Sequence, residues 1–420
     1  MKKTIVIAAP VTTRSGYGTH ARMICRALLK LQDKYELKIL PTRWGSTPLS
    51  ADVSDLQPYF HLGQLTQQPD IFIVVSIPSE MQRVGKFNIL ITAGTESSVC
   101  NLKFVEGCNK ADLIITPSEF TKTVLKETVI EKKNQQNQVV ETIRVNKPLE
   151  VLFEGVDTNV FNKNYVNPFN LKQVKEDFCF LFVGSWLGGV LGGDRKNVGA
   201  LVKVFYDTFK RKGGTNRPAL ILKTNGAGFS EVEYADIVGK LKMIGDSIDG
   251  TGLLPSVYVI NGDLTDNEMN DLYNHPKVKA MINLTHAEGY GLPLCEFTTT
   301  GKPVITSNYS GPVDFLSKDH GAVLLPGSIT KIHDSAANEW IVRGSDWFTP
   351  NYAFTSQIMN DVYERYDKYL EKSRRHIKYT KDNFSFDKMI EKFDEILTKY
   401  VPEKSQTIKL NLPKLKKVSE

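Results

Sequence analysis

Short apolar segments recur along this chain, and amphipathic segments lie between them. The apolar segments are rich in β-branched residues, which is typical of strands buried on both faces. They form two series, at 4–9, 37–40, 71–75, 88–93, 113–116 and 149–153, and then at 178–184, 219–224, 256–260, 279–284 and 302–307. Because strands that alternate with helices form parallel sheets covered by helices, the sequence predicts an α/β chain of two doubly wound domains.

The domain boundary is expected between the two series, where Asn, Pro and Gly cluster over residues 154–170. A length of 420 residues suits two domains of ordinary size, each able to bury a core. We therefore expect a first domain over 1–160 and a second over 161–384. The polar stretch 131–148 is expected to be a surface hairpin or loop of the first domain.

The end of the chain is expected to be helical and then basic. The pattern predicts two helices that separate near residues 382–387, and the final one spans about 385–400 with Ser385 as its N-cap. The segment 403–420 carries lysines that alternate with apolar residues. It is either a solvated tail or a weak contact for an anionic membrane or a nucleic acid.

Composition indicates a cytosolic, globular protein. Hydrophobic residues make up 41% and charged residues 24%, which excludes global disorder, and we find no apolar run long enough to span a bilayer. The five cysteines are odd in number and scattered, which favours reduced thiols. We expect a cytoplasmic location, with the basic end allowing peripheral contact with the inner face of a membrane.

In each series a glycine-containing stretch follows the first strand, so the chain has two such stretches. Gly16 and Gly18 lie in "SGYGTHAR", where the backbone can turn tightly and present helix amides to a phosphate, although an ordinary strand-to-helix turn gives the same pattern. Arg195 and Lys196 end the glycine-rich stretch "GSWLGGVLGGDRKN" and precede a helix. They could clamp a pyrophosphate, or they could be solvated charges at an exposed helix start.

The stretch "HAEGYGLPLCEF" at 286–297 combines two glutamates with turn-forming residues after a predicted strand. Glu288 falls in the loop and Glu296 in the helix that begins near Leu292, so both carboxylates could face the crevice where open α/β sheets bind ligands. Carboxylates accept hydrogen bonds from paired hydroxyls, as on a ribose or a sugar ring. The amides of Gly289, Tyr290, Gly291 and Leu292 are candidates for phosphate contacts.

Together these stretches resemble the retaining glycosyltransferases of family four, which have the GT-B fold of two facing Rossmann-like domains. "EGYGLPLCE" looks like the E-x7-E signature of that family. Further matching pieces follow in order and cover most of the chain, namely "SGYG", "ADLIITPSEFTKTVL", "VLFEGVDTNVF", "RKN", "GDLTDNEMNDLYN" and "GKPVITSNYSGPVDFL".

The resemblance implies a nucleotide-diphosphate sugar as donor, held mainly by the second domain. Glu296 would then hold ribose hydroxyls, Glu288 the donor sugar, and Arg195 and Lys196 the diphosphate, with Gly16 approaching it from the first domain. It also implies that the final helix crosses back to the first domain. Arg195, Lys196 and Glu288 are thus the expected catalytic residues, and no nucleophile is assigned, because the family implies same-face attack.

The chain departs from the family pattern in both domains, and in the second domain the loop before Arg195 is longer and richer in glycine than usual. Glu96 stands where the family often carries a histidine, and Glu154 where it commonly shows asparagine, which we interpret as a harmless hinge change. Glu96 and Trp44 are the candidates for the acceptor side. His286 is either a contact for the donor sugar or a structural loop residue. We find no DxD motif and no His/Cys cluster, so we expect catalysis without a metal ion or other cofactor.

The predicted function is a retaining hexosyl- or pentosyltransferase with an unidentified acceptor. A saccharide, a lipid-linked glycan and a modified DNA base all remain open as acceptors. Two other interpretations are a noncatalytic protein that binds a nucleotide sugar or a polyanion, and a nucleotide-sugar epimerase, which would not require the E-x7-E pattern.

Overall fold

The structure is a computed structural model. It describes residues 2–164, 169–189, 191, 193–210, 217–226, 228–248 and 253–403. The basic tail predicted at 403–420 therefore lies outside the described residues beyond Glu403.

The first sheet has six parallel strands in the order β2-β1-β3-β4-β5-β8. Two further strands, β6 and β7, form an antiparallel hairpin with exposed side chains within the predicted polar insertion. In chain order the elements are β1 (Lys3–Ala9), α1 (Gly16–Lys30), β2 (Tyr35–Pro41), β3 (Ile71–Val75), β4 (Phe87–Ile91), α2 (Leu102–Lys110), β5 (Leu113–Thr116), α3 (Glu119–Glu127), β6 (Val129–Lys133), β7 (Val139–Arg144) and β8 (Leu149–Val151).

The second sheet repeats this design with the order β11-β10-β9-β12-β13-β14, again parallel throughout. Its elements are β9 (Cys179–Val183), α4 (Val198–Phe209), β10 (Ala219–Lys223), α5 (Glu231–Asp246), β11 (Val257–Ile260), α6 (Asp266–Asn274), β12 (Val278–Asn283), α7 (Leu292–Thr298), β13 (Val304–Ser307) and β14 (Val323–Leu325). Each sheet is covered on both faces, because separate buried clusters line its two sides.

An antiparallel pair of strands and four helices complete the described chain. They are β15 (Gly327–Lys331), β16 (Asp346–Pro350), α8 (Tyr352–Glu364), α9 (Tyr366–Ser373), α10 (Arg375–Asn383) and α11 (Phe386–Tyr400). We call residues 327–350 the arm, because they reach from the second sheet to the first domain. Ser98 N donates to Asp346 O at 2.8 Å, and Asp346 N donates to Ser98 Oγ at 2.9 Å.

The predicted α/β class with two facing Rossmann-like domains is confirmed. Every predicted strand is present, whereas β14 and the two strands of the arm were not predicted. The predicted final helix and its Ser385 N-cap are confirmed, but the single helix predicted before it is divided into α8, α9 and α10. Arg365 leaves the helical conformation between α8 and α9, at φ −121° and ψ 38°, while the apolar pattern continues past it.

The last helix, α11, packs against the first sheet rather than the second. Its apolar face buries Met389, Phe393 and Leu397 in the cluster that includes Ile24 and Leu28 of α1. The Ser385 hydroxyl caps it by accepting from the amide of Lys388. The chain thus returns to the first core after it has completed the second. No helix in the described residues combines the length and apolar character needed to cross a membrane.

Candidate functional site

The carboxyl ends of the two sheets face each other, and the loops that follow the strands meet there. Ser118 Oγ, just before α3, donates to Gly289 O at 2.6 Å. A Cβ at Gly289 would lie 3.2 Å from Ala93 Cβ of the first domain. Arg14 Nε donates to Asp263 Oδ2 at 2.5 Å across the same boundary. Arg14, beside the first stretch, and Gly289, within the third, therefore lie at one interface between the domains.

Two ion pairs occupy the centre of this interface. Lys196 Nζ pairs with Glu288 Oε2, and both side chains are largely buried, at 17% and 7% exposed. Arg195 Nη1 donates to Glu96 Oε1 at 2.6 Å, so the pair joins the two domains. The predicted catalytic cations thus lie side by side, each on a carboxylate, and the candidate acceptor residue Glu96 contacts Arg195 directly.

The turn that carries these cations is held by Asp194, which the sequence analysis missed. One carboxylate oxygen of Asp194 accepts from Lys196 N at 3.1 Å, and the other accepts from Val198 N at 2.5 Å and Gly199 N at 3.3 Å. These bonds close the start of α4, while Asn197 adopts a left-handed conformation at φ 57°. Burial raises the pKa of Asp194 to about 6. An acidic residue four positions before the helix was the available signal.

Glu288 is held from several sides. Its amide donates to Ser310 Oγ at 2.9 Å, and Asn283 Nδ2 donates to its Oε1 at 3.3 Å. Burial alone would raise the pKa of Glu288, but the charges of Lys196 and Arg195 together hold it below its usual value. Glu288 is therefore an ionised carboxylate in a largely buried position.

The residues after Glu288 divide between the interface and the core. Gly291 is the N-cap of α7 and has a φ of +97°, a left-handed conformation that glycine adopts without strain. The Tyr290 side chain is buried against Phe315, so only its backbone can reach a ligand. Leu292, the first residue of α7, is half-buried.

Glu296 lies within α7. Its carboxyl group accepts a hydrogen bond from Tyr273 Oη at 3.0 Å, and burial together with the negative charge of Asp266 raises the pKa of Glu296 well above its usual value.

The glycine loop of the first domain has two different glycines. A Cβ at Gly16 would meet nothing within 4 Å, whereas one at Gly18 would collide with the carbonyl oxygen and hydroxyl of Thr13. Close packing within the loop therefore requires Gly18, and Gly16 borders open space. Tyr17, between them, accepts at its hydroxyl from Ala93 N at 3.0 Å and stacks on Trp44 with ring centroids 4.1 Å apart.

Glu154, interpreted from the sequence as a harmless hinge change, lies inside the interface. Its carboxylate is 3.5 Å from His20 Nδ1, and its side chain is 13% exposed. Burial and the nearby charge of Glu288 raise the pKa of Glu154 to about 8, although Lys196 acts in the opposite direction. No sequence signal beyond the departure from the family pattern indicated this position.

The side chain of His286 packs against the arm. Its ring stacks on Trp347 of β16 with centroids 3.8 Å apart, and its Nδ1 lies 2.7 Å from Phe348 O. Burial lowers the pKa of His286 to about 4. Of the two alternatives for this histidine, these contacts favour the structural loop residue. Within the described residues no cluster of three or more His, Cys, Asp or Glu side chains has the arrangement of a metal site.

This architecture defines the chain as a two-domain α/β protein of the GT-B class. No protein-family model matches the sequence, and no curated protein matches it. Solved structures are similar in fold. HepE of Anabaena in complex with UDP-glucose is 12% identical with a TM-score of 0.58, and the match covers 94% of this chain and 100% of that one.

Two further structures show the same likeness. A glycosyltransferase from Rickettsia africae is 15% identical with a TM-score of 0.60, covering 96% of this chain and 99% of that one. The sucrose-phosphate synthase of Thermosynechococcus elongatus is 10% identical with a TM-score of 0.60, covering 95% and 99%. At these identities the likeness shows a shared fold, and activity has to be argued from the site.

Proposed function

We propose that this chain is a retaining glycosyltransferase that moves a hexosyl or pentosyl group from a nucleotide-diphosphate sugar to an acceptor. The observation that carries the proposal is the pair of adjacent cations, Arg195 and Lys196, beside the buried carboxylate Glu288, where the carboxyl ends of the two sheets meet. The three similar proteins support the same reaction class, because one is solved with UDP-glucose and the others are a glycosyltransferase and a sucrose-phosphate synthase.

The chemistry follows from where charge develops. Breaking the bond between the anomeric carbon and the phosphate leaves negative charge on the diphosphate, and preorganised cations stabilise that charge. In the proposal Arg195 exchanges Glu96 for a phosphate oxygen when the donor binds, and Lys196 approaches the same group. Glu288 accepts hydrogen bonds from donor-sugar hydroxyls, and Glu296 from the ribose. The backbone of 289–292 and Gly16 would line the diphosphate.

The domain roles belong to the same proposal. Residues 1–160, joined by the final helix at about 385–400, would supply the acceptor side, with Glu96 beside it. Residues 161–384 would hold the donor. The ring of Trp44, the other candidate for the acceptor side, stacks on Tyr17. We therefore propose that Trp44 supports the glycine loop. The acceptor class stays open among a saccharide, a lipid-linked glycan and a modified DNA base.

The test is a donor panel followed by turnover. Purified protein is screened with UDP-, ADP- and GDP-sugars for binding and for sugar transfer or donor hydrolysis, and the anomeric configuration of the product is read by NMR. We expect Arg195→Ala to lower turnover by roughly a hundredfold, as loss of one preorganised donor does. Arg83→Ala is the matched control, because Arg83 pairs with Asp112 on the surface of the first domain. Absence of binding to every donor would contradict the proposal.

A further inference from the structure

Glu154 follows β8 and faces the second domain across the interface. Its side chain is 13% exposed, and charged or titratable groups from both domains surround it. Those close enough for their charges to interact with it are Tyr17 and His20 of α1, Lys196 before α4, Glu288 after β12, and Tyr290, Cys295 and Glu296 at the start and within α7. Glu154 is thus a first-domain acid whose charge would interact with Glu288, Lys196 and Glu296, the residues assigned to donor sugar, phosphate and ribose.

This carboxyl has no strong partner of its own. Among the described residues no lysine, arginine or backbone amide donates a hydrogen bond to it, and Lys196 is held by Glu288 instead. Its close neighbour is His20, which is 2% exposed and whose Nε2 lacks a partner. Burial lowers the pKa of His20 to about 4, so the imidazole is neutral near pH 7 and cannot compensate a negative charge on Glu154.

The protonation state of Glu154 follows from these surroundings. Burial first, and then the negative charge of Glu288, raise the pKa of Glu154 to about 8, despite the opposing effect of Lys196. At neutral pH the side chain is therefore mostly a carboxylic acid, which has one O–H donor that a carboxylate lacks. A carboxylic acid can donate to a phosphate oxygen, whereas a carboxylate at the same place would repel it.

We propose that Glu154 binds the donor as a neutral acid, donating its hydrogen bond to an oxygen of the diphosphate, so that donor binding retains or takes up one proton at this side chain. The inference rests on the proposed function. Arg195 and Lys196 are already balanced by Glu96 and Glu288, so a diphosphate adds negative charge that ionised Glu154 would oppose. Binding therefore favours the protonated form.

The test compares wild type with Glu154→Gln, because the glutamine amide can donate a hydrogen bond but never ionises. Affinity for UDP-glucose, ADP-glucose and GDP-mannose is measured by calorimetry at about pH 7 and about pH 9. Wild-type affinity is expected to fall by about tenfold over this interval, while that of Glu154→Gln stays within about twofold. In wild type at the higher pH, two buffers of different ionisation enthalpy should reveal proton uptake on binding, which Glu154→Gln lacks.

Glu150→Gln is the matched control. Glu150 lies on β8, but its carboxylate accepts hydrogen bonds from Lys399 and Tyr400 at the end of α11 and, within the described part of the chain, not from residues of the second domain. The Glu150→Gln variant should therefore keep the wild-type pH dependence of binding and the proton uptake. Infrared difference spectra between about pH 7 and about pH 10 should show a larger loss of carboxylic acid absorption in wild type than in Glu154→Gln, because Glu296, whose pKa is also raised by burial, contributes equally to both.

The outcomes separate the two proposals. Binding with the same pH dependence in wild type and Glu154→Gln, or the same infrared change in both, would overturn the role of Glu154 and leave the proposed function standing. Failure of every nucleotide sugar to bind wild type and Glu150→Gln at either pH would overturn the proposed function and this inference with it.

Discussion

At the scale of single residues, the site is a set of charges whose partners come from distant parts of the chain. Lys196 pairs with Glu288 and Arg195 with Glu96, and Asp194 fixes the backbone between them. Each cation is close to a carboxylate in a poorly solvated place, so removing one member leaves the other without compensation. Burial also keeps several side chains neutral, and those side chains give the protein a measurable dependence on pH.

The glycine loop allows a paired test at residue scale. Gly18→Ala should lower the free energy of unfolding by about 2 kcal/mol, because the new Cβ collides with Thr13. Gly16→Ala should change stability by less than about 0.5 kcal/mol, since nothing lies within 4 Å of its Cβ, but it should weaken donor binding if the diphosphate lies there. Denaturant unfolding and donor calorimetry on both variants check this. Equal destabilisation by both would contradict it.

Three buried histidines should make the protein sensitive to acid. Burial lowers the pKa of His20, His286 and His376 to about 4 each. The unfolded chain takes up these protons at higher pH than the folded one, so the stabilisation is complete above about pH 6.5 and is lost as the pH falls towards about 4.

The measurement is the midpoint of thermal unfolding across that interval. We expect His376→Gln to reduce the loss of melting temperature on acidification by several degrees. His61→Gln is the control, because the His61 ring is partly exposed and its Nε2 lies 3.2 Å from Gln64 O. An identical acid response in wild type and His376→Gln would argue against the assignment.

At the scale of elements, short turns after the strands decide where the functional side chains lie. The start of α4 is closed by Asp194, and this fixes the direction of Arg195 and Lys196. On the second domain the arm adds a further support, since Phe348 N donates to His286 O and His286 N donates to Arg195 O. Backbone hydrogen bonds thus connect the loop after β9, the loop after β12 and the arm.

Loss of the Asp194 cap should affect stability and turnover together. In Asp194→Ala the amides of Lys196, Val198 and Gly199 lose their acceptor, so we expect about 1 to 2 kcal/mol of destabilisation. Turnover should fall by about tenfold or more, because the cations are no longer held in one geometry. Asp194→Asn, which keeps one acceptor oxygen, should be intermediate. Unfolding and kinetic measurements on both variants decide the matter, and an unchanged turnover in Asp194→Ala would refute it.

At the scale of the whole molecule, the two domains are closed on each other by polar contacts. Arg14 with Asp263, Arg195 with Glu96, and Ser98 with Asp346 all cross the boundary. Such contacts are weak individually and partly exposed, which suits an interface that opens to exchange ligands. The final helix α11 packs in the first core, so opening requires movement about the chain segments that join the domains.

The Arg14 and Asp263 pair should contribute to closure in a salt-dependent way. Arg14→Ala and Asp263→Ala should each weaken donor binding, and the double variant should show a coupling of about 0.5 to 1 kcal/mol at low salt that shrinks as salt screens it. The matched control is Arg26 with Asp55, an Arg–Asp pair within the first domain, whose removal should leave donor affinity unchanged. Calorimetry and small-angle scattering provide the measurements. Additive losses at every salt concentration would rule out the coupling.

The sequence by itself determined the two sheets, because a strand buried on both faces must be apolar over its whole length, and that requirement is local. It also located the charged and glycine-rich loops, since these follow the strands directly. Only the tertiary structure decided which charges meet. Glu96 and Arg195 lie 99 positions apart, and Glu154 became a buried acid because loops of both domains enclose it. Pairing and burial of this kind depend on how whole domains dock, which local periodicity does not record.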